Sequence, residues 1–144
     1  MTEKKRILLI YPPSPVMKRE DRCQQPTKDL IVIPPLPPTD LMYLASVAEQ
    51  VGFEAKIEDY SQGGDLEYDL REFRPDYLVV NIATPTLEND LDAVKRAKEL
   101  NPHIVTIAKG AAFLTLGETI LKEHDVLDFG ILGEAEDTLK EILE

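Results

Sequence analysis

Tyr77-Leu78-Val79-Val80-Asn81-Ile82 is the stretch on which the fold turns. It is almost wholly apolar, and Thr84-Pro85-Thr86 breaks it, so it reads as a strand buried on both faces. Such a strand needs cover on two sides, which means a parallel sheet between layers of helix. Its flanks agree. On the N-terminal side, Leu66, Leu70 and Phe73 share one face of a short helix closed by Arg74-Pro75. On the other side, Leu87, Leu91, Val94 and Leu100 mark a helix that Asn101-Pro102 stops. Ile104 to Ala108 is the next strand, and Lys109-Gly110 turns after it.

The same alternation continues to both ends. Ile7-Leu8-Leu9-Ile10 is a continuous apolar strand that stops at Tyr11-Pro12-Pro13. A helix begins near Thr39, with Leu41, Leu44, Ala45, Val47, Ala48 and Val51 at helical spacing, and Gly52 ends it. Ala55-Lys56-Ile57 alternates like a strand and runs into Asp59. A helix over about 115–122 leads to the strand Phe129-Gly130-Ile131-Leu132, and Gly133 turns into a last helix carrying Leu139, Ile142 and Leu143. The expected fold is therefore a single α/β domain over 1–144, a flavodoxin-like three-layer sandwich. Its five-stranded parallel sheet has the order 2-1-3-4-5. Residues 14–38 interrupt the pattern and read as a long irregular loop, rich in proline, with a short apolar patch at Leu30-Ile31-Val32-Ile33.

Composition narrows the function classes. The 144 residues carry a net charge of −11, which argues against a nucleic-acid partner. No apolar run approaches the roughly 20 residues that span a bilayer, and no leader-like segment opens the chain, so the expected place is the cytoplasm. The lone Cys23 makes neither an intrachain disulfide nor, by itself, a zinc or iron–sulfur site.

In a sheet of this type, ligands bind outside the carboxyl ends of the strands, at the switch in strand order. The segments reaching that edge are Tyr11-Pro12-Pro13, Asp59 to Gly64, Ala83 to Leu87, Lys109 to Phe113, and Gly133-Glu134. Glycine there lets backbone approach a ligand, although βα turns use Gly and Pro in any case. No Gly-x-Gly-x-x-Gly or Walker loop is present, and the first turn lacks the small hydroxyl residues of a phosphate cradle. Pro12-Pro13 and Thr84-Pro85 stand where a receiver domain needs carboxylates. His103 precedes a strand on the far edge, and His124 reads as a helix end. Glu134 and Glu136 suit either a helix N-terminus or a ligand. No serine sits in a nucleophile elbow, and no catalytic set emerges.

Asp59-Tyr60-Ser61-Gln62-Gly63-Gly64 has the shape of the cofactor loop Asp-x-His-x-x-Gly, with Ser61 in place of the histidine. Other pieces accompany it in order: Ile7 to Pro13, Pro34-Pro35-Leu36 before Leu41 to Ala45, Gly52 to Asp59, Phe73 to Val80, and Gly133-Glu134-Ala135-Glu136-Asp137-Thr138. Together they resemble the N-terminal cobalamin-binding domain of the cobalamin-dependent radical S-adenosylmethionine enzymes. The resemblance implies a base-off corrinoid with no histidine on cobalt, because Ser61 stands where relatives place the lower axial ligand. It implies that Gly63, Gly64, Thr84, Thr86 and Leu87 lie along the nucleotide tail, and that Asp59 and Pro85 belong to the same cofactor site. Gly110, Ala111, Gly133 and Glu134 join them, and Tyr11, Pro12 and Pro13 lie near the corrin face. Relatives often carry Gly-Gly-x-His where this chain has Gly110-Ala111-Ala112-Phe113.

The resemblance further implies a methyltransferase or related parent enzyme with a C-terminal radical domain, a [4Fe-4S] cluster and S-adenosylmethionine. The Cys-x-x-x-Cys-x-x-Cys motif of that domain is absent from these 144 residues, so this chain is expected to bind neither the cluster nor S-adenosylmethionine and to be inactive alone. The expectation is therefore an excised domain or a stand-alone carrier. Two other readings stay open: a flavodoxin-like regulatory or interaction domain without cofactor, and a small enzyme taking a nucleotide-like ligand at the same edge.

Overall fold

A computed structural model describes residues 3–14, 17–20, 23–26 and 36–144. Five strands form a parallel sheet: β1 (Arg6–Tyr11), β4 (Glu54–Asp59), β5 (Tyr77–Asn81), β6 (Val105–Lys109) and β7 (Phe129–Gly130). Their order is β4-β1-β5-β6-β7, the expected 2-1-3-4-5 arrangement of the flavodoxin-like fold. The switch point falls between β1 and β5.

Alternation within the strands builds two cores. Ile7, Leu9, Tyr11, Val79 and Ile107 face α1 (Thr39–Gln50) and α5 (Glu136–Leu143), through Leu41, Leu44, Ala48 and Leu139. Leu8, Ile10, Leu78, Val80 and Ala108 face α2 (Leu66–Phe73), α3 (Leu87–Leu100) and α4 (Ala112–Glu123). Burying each such aliphatic side chain contributes about 1.5–3 kcal/mol, which is why the central strands tolerate no polar face.

The structure departs from the sequence reading in three places. Within the expected irregular loop, β2 (Met17–Glu20) pairs antiparallel with β3 (Cys23–Pro26), as a separate two-stranded sheet. Pairing 17–20 with 23–26 satisfies backbone groups that an irregular path would leave to water. The Leu30–Ile33 patch lies outside the described residues. Secondly, α4 starts at Ala112 rather than Thr115, because the backbone N–H groups of Phe113 and Leu114 donate directly to Gly110 and Ala111, and the buried Phe113 anchors the turn. Thirdly, β7 is only two residues long. The Ile131 N–H extends its ladder by one bond to the Ala108 carbonyl, at 2.8 Å. A Cβ on Gly130 would lie 2.3 Å from the Phe113 ring, so only glycine lets this strand pass beneath α4.

Candidate functional site

The registers align the strand ends. Tyr11 lies opposite Asp59 across β1 and β4, and Asn81 lies opposite Lys109 across β5 and β6. The four final residues therefore stand side by side along the carboxyl edge, and the turns beyond them frame the switch point.

The turn after β4 is tightly organised. The Asp59 carboxylate accepts from the Ser61 N–H at 3.0 Å and from the Ser61 hydroxyl at 2.5 Å, which folds Tyr60–Gln62 into a 3-10 turn. Tyr60 is buried beneath the turn, and its hydroxyl donates to Asp69 at 2.7 Å. Lys56 donates to the other Asp69 oxygen at 2.6 Å. Burial, then the bond to Asp69, pushes the Tyr60 phenol well above its ordinary range. Burial alone would raise Asp69, but the bonds from Lys56 and Tyr60 outweigh it and hold the carboxyl below the usual value. The chain leaves through Gly63 and Gly64, at φ +108° and +112°. A Cβ on Gly63 would meet nothing within 4 Å, so this glycine serves the backbone path and leaves open space beside it.

The turn after β5 is held from below by Asp90, a fully buried carboxylate in the first turns of α3. It accepts from the Ala83 N–H at 3.0 Å and the Thr86 hydroxyl at 2.8 Å. Thr86 is accordingly buried, whereas Thr84 and Pro85 are exposed at the rim and Leu87 is half-buried. Thr84, rather than Thr86, offers its side chain outward. Asp90 was not singled out in the sequence, although a carboxylate four residues after Thr86 on a helix start is the available signal.

A third cluster also escaped the sequence reading. Asp40, in the first turn of α1, accepts from Lys109 Nζ at 2.7 Å, from Asn81 Nδ2 at 3.4 Å and from the Tyr11 hydroxyl. Lys109, Asn81 and Tyr11 are all buried. Tyr11 and Pro12 thus lie inside the protein, with Pro13 half-buried. Gly110 follows at φ +123°, and a Cβ there would sit 2.4 Å from the Ile82 carbonyl oxygen. Its glycine is demanded by the neighbouring strand end, whatever binds outside. Ala111 is half-buried, and Gly133 and Glu134 are exposed after β7. Around this edge Met42, Tyr43, Leu114 and Leu132 expose apolar surface.

Neither histidine reaches this edge. His103 is exposed in the turn before β6, and His124 caps the C-terminus of α4, both at the opposite end of the sheet. Among the described residues, no group of three or more His, Cys, Asp or Glu is arranged to hold a metal ion. A cleft lined by Leu70, Arg74, Pro75, Ala97 and Ile104 also lies at that opposite end. No helix among the described residues is long and apolar enough to cross a membrane.

The strand order and the alternating helices define a flavodoxin-like α/β domain, with the turns after β1, β4, β5 and β6 gathered along the carboxyl edge of its sheet. Residues 34–143 match the B12 binding domain family, and the chain belongs to that family. It is 24% identical over 132 residues to an uncharacterized methyltransferase of Pyrococcus horikoshii; the match takes in 81% of this chain and 29% of that protein. The chain thus spans less than a third of that relative. A crystal structure of a protein of Burkholderia pseudomallei, described as pilus assembly-related, shares the fold with a TM-score of 0.52 at 13% identity. That match covers 96% of this chain and 89% of the other.

Proposed function

We propose that this chain is a cobalamin-holding module that leaves cobalt without a protein histidine and serves a radical S-adenosylmethionine methyltransferase or a related enzyme. The observation that carries the reading is the Asp59–Gly64 turn. By the resemblance Ser61 stands where the family loop has its imidazole; its hydroxyl is engaged by Asp59, and both histidines lie at the far end of the sheet. The exposed apolar side chains around the edge suit a large ligand with an apolar body, and polar backbone groups in the turns suit its amides and phosphate.

In this reading Gly63 and Gly64 let backbone approach the nucleotide tail, and Thr84 offers it a hydroxyl. Asp59 fixes Ser61, so the turn keeps one shape. Asp90 does the same for the turn that presents Thr84 and Pro85. Bound cobalamin would supply a cobalt able to carry a methyl group. The [4Fe-4S] cluster and S-adenosylmethionine would belong to a C-terminal radical domain of the parent enzyme. The relative named as a methyltransferase supports the methyl-transfer part of this reading.

The test is titration with hydroxocobalamin, gel filtration, and the visible spectrum of the retained fraction. Retained corrinoid with a base-off, histidine-free spectrum is expected. A histidine-ligated spectrum refutes the coordination. Failure of this chain, and of a longer one carrying the next domain, to retain corrinoid would favour a cofactor-free interaction domain.

A further inference from the structure

We infer that Asp40 is a positioning residue for the carboxyl edge, one that sets the spacing of three of its turns; as a statement about ligand binding, this rests on the cobalamin reading. One carboxylate receives Tyr11, Asn81 and Lys109, which are the last residues of β1, β5 and β6. These strands are adjacent in the sheet, and β1 and β5 flank the switch point. Ladder hydrogen bonds fix each strand against its neighbour, and between β5 and β6 they run as far as the bond from the Ile82 N–H to the Lys109 carbonyl. Asp40 ties the three ends to one another at that level. It also ties them to the start of α1, on the other side of the crossing that begins at Pro12.

A plain stability role is the competing account. An acidic residue in the first turn of a helix favours the helix dipole, and Lys109 must be paired because it is only 5% exposed. The two accounts separate on energetics. A buried ion pair adds little stability compared with apolar groups of similar size, so removing both charges together can be nearly neutral. Removing the carboxylate still unties Asn81 and Tyr11 from Lys109, whatever happens to stability.

The experiment compares wild type, Asp40→Ala, Lys109→Met and the double variant Asp40→Ala/Lys109→Met. Three quantities are read: Tm, amide hydrogen exchange of the cofactor-free chain at 82–87 and 110–112, and hydroxocobalamin affinity. Asp40→Ala alone is expected to lower Tm, because it takes the carboxylate at 2.7 Å away from a buried ammonium. The double variant is expected to recover Tm while its turn amides exchange faster than wild type and its corrinoid Kd stays weaker by about 10-fold, the scale of losing an outer positioning partner. Recovery of Tm together with wild-type exchange and wild-type Kd would overturn the inference. Faster exchange at both turns in a protein whose wild type binds no corrinoid would uphold the tie and discard the cobalamin reading.

Discussion

Gly110→Ala tests the claim that this glycine answers to the neighbouring strand and not to a ligand. The added Cβ would lie 2.4 Å from the Ile82 carbonyl oxygen and 3.0 Å from its nitrogen, and Gly110 holds φ at +123°. Both contacts are with backbone, which cannot swing aside, and the Ile82 N–H is already bonded to the Lys109 carbonyl at 2.7 Å. The backbone strain costs about 1–3 kcal/mol. The overlap costs roughly another 1–3 kcal/mol, the scale of a forced fit in a packed interior. Gly63→Ala is the internal control, since it carries the φ penalty at +108° with nothing within 4 Å. Urea unfolding of both variants, with no ligand present, should therefore show Gly110→Ala less stable than Gly63→Ala by roughly 1–3 kcal/mol with unchanged m. Equal destabilisation would show that β5 and β6 separate easily beyond their last ladder bond, and the steric argument would fail.

Three further perturbations bear on the other turns. Asp90→Ala leaves the Ala83 N–H and the Thr86 hydroxyl without this buried acceptor and should cost about 2–5 kcal/mol in urea unfolding; Asp90→Asn, which keeps a carbonyl oxygen, should lose less. Ser61→Ala should leave the visible spectrum of bound corrinoid unchanged while weakening the turn by about 1 kcal/mol, and a lost axial-ligand signature would show the Ser61 hydroxyl itself on cobalt and refute a loop that leaves the metal free. Asp69 has a folded pKa below its ordinary 3.8, so its contribution is fully present above that value and is lost as pH falls through the folded one. Asp69→Asn should lower Tm at neutral pH and flatten the acid limb of the Tm–pH curve; an unchanged limb would show that the Lys56–Asp69–Tyr60 cluster is energetically idle.

The fold was legible because its determinants are local. Ile7 to Ile10 and Tyr77 to Ile82 are apolar at every or nearly every position, which only a doubly covered parallel strand accommodates. Helix spacing and the Pro or Gly stops then fixed the order of elements, and handedness left few arrangements of the sheet. The errors fell where tertiary contacts rule. The expected helix over about 115–122 starts three residues late, because its true start is set by the Gly110 turn and the burial of Phe113 three residues after it. The β2–β3 pairing had no apolar alternation to announce it, since Lys18-Arg19-Glu20 and Gln24-Gln25 are polar throughout.

The site was legible only as a set of turns, and the reason is a matter of sequence distance. Asp59 and Ser61 are two residues apart, so an Asx-type turn could be read from the string itself. Asp40 reaches Lys109 across 69 residues and Asn81 across 41, and nothing in the local composition of any of the three marks the meeting. Each has an ordinary local explanation: an acid at a helix start, an amide and a lysine at strand ends. What removes those explanations is burial, because a lysine 5% exposed and an asparagine 3% exposed require partners that solvent cannot supply. The switch point brings β1, β5 and β6 together at the level where their turns begin, and there one carboxylate accepts from Tyr11, Asn81 and Lys109. In the proposed reading, ligand contacts at this edge would be largely backbone-made, because the side chains that fix the turns are buried. A search for exposed, chemically reactive residues would therefore miss the part of the site that sets its shape.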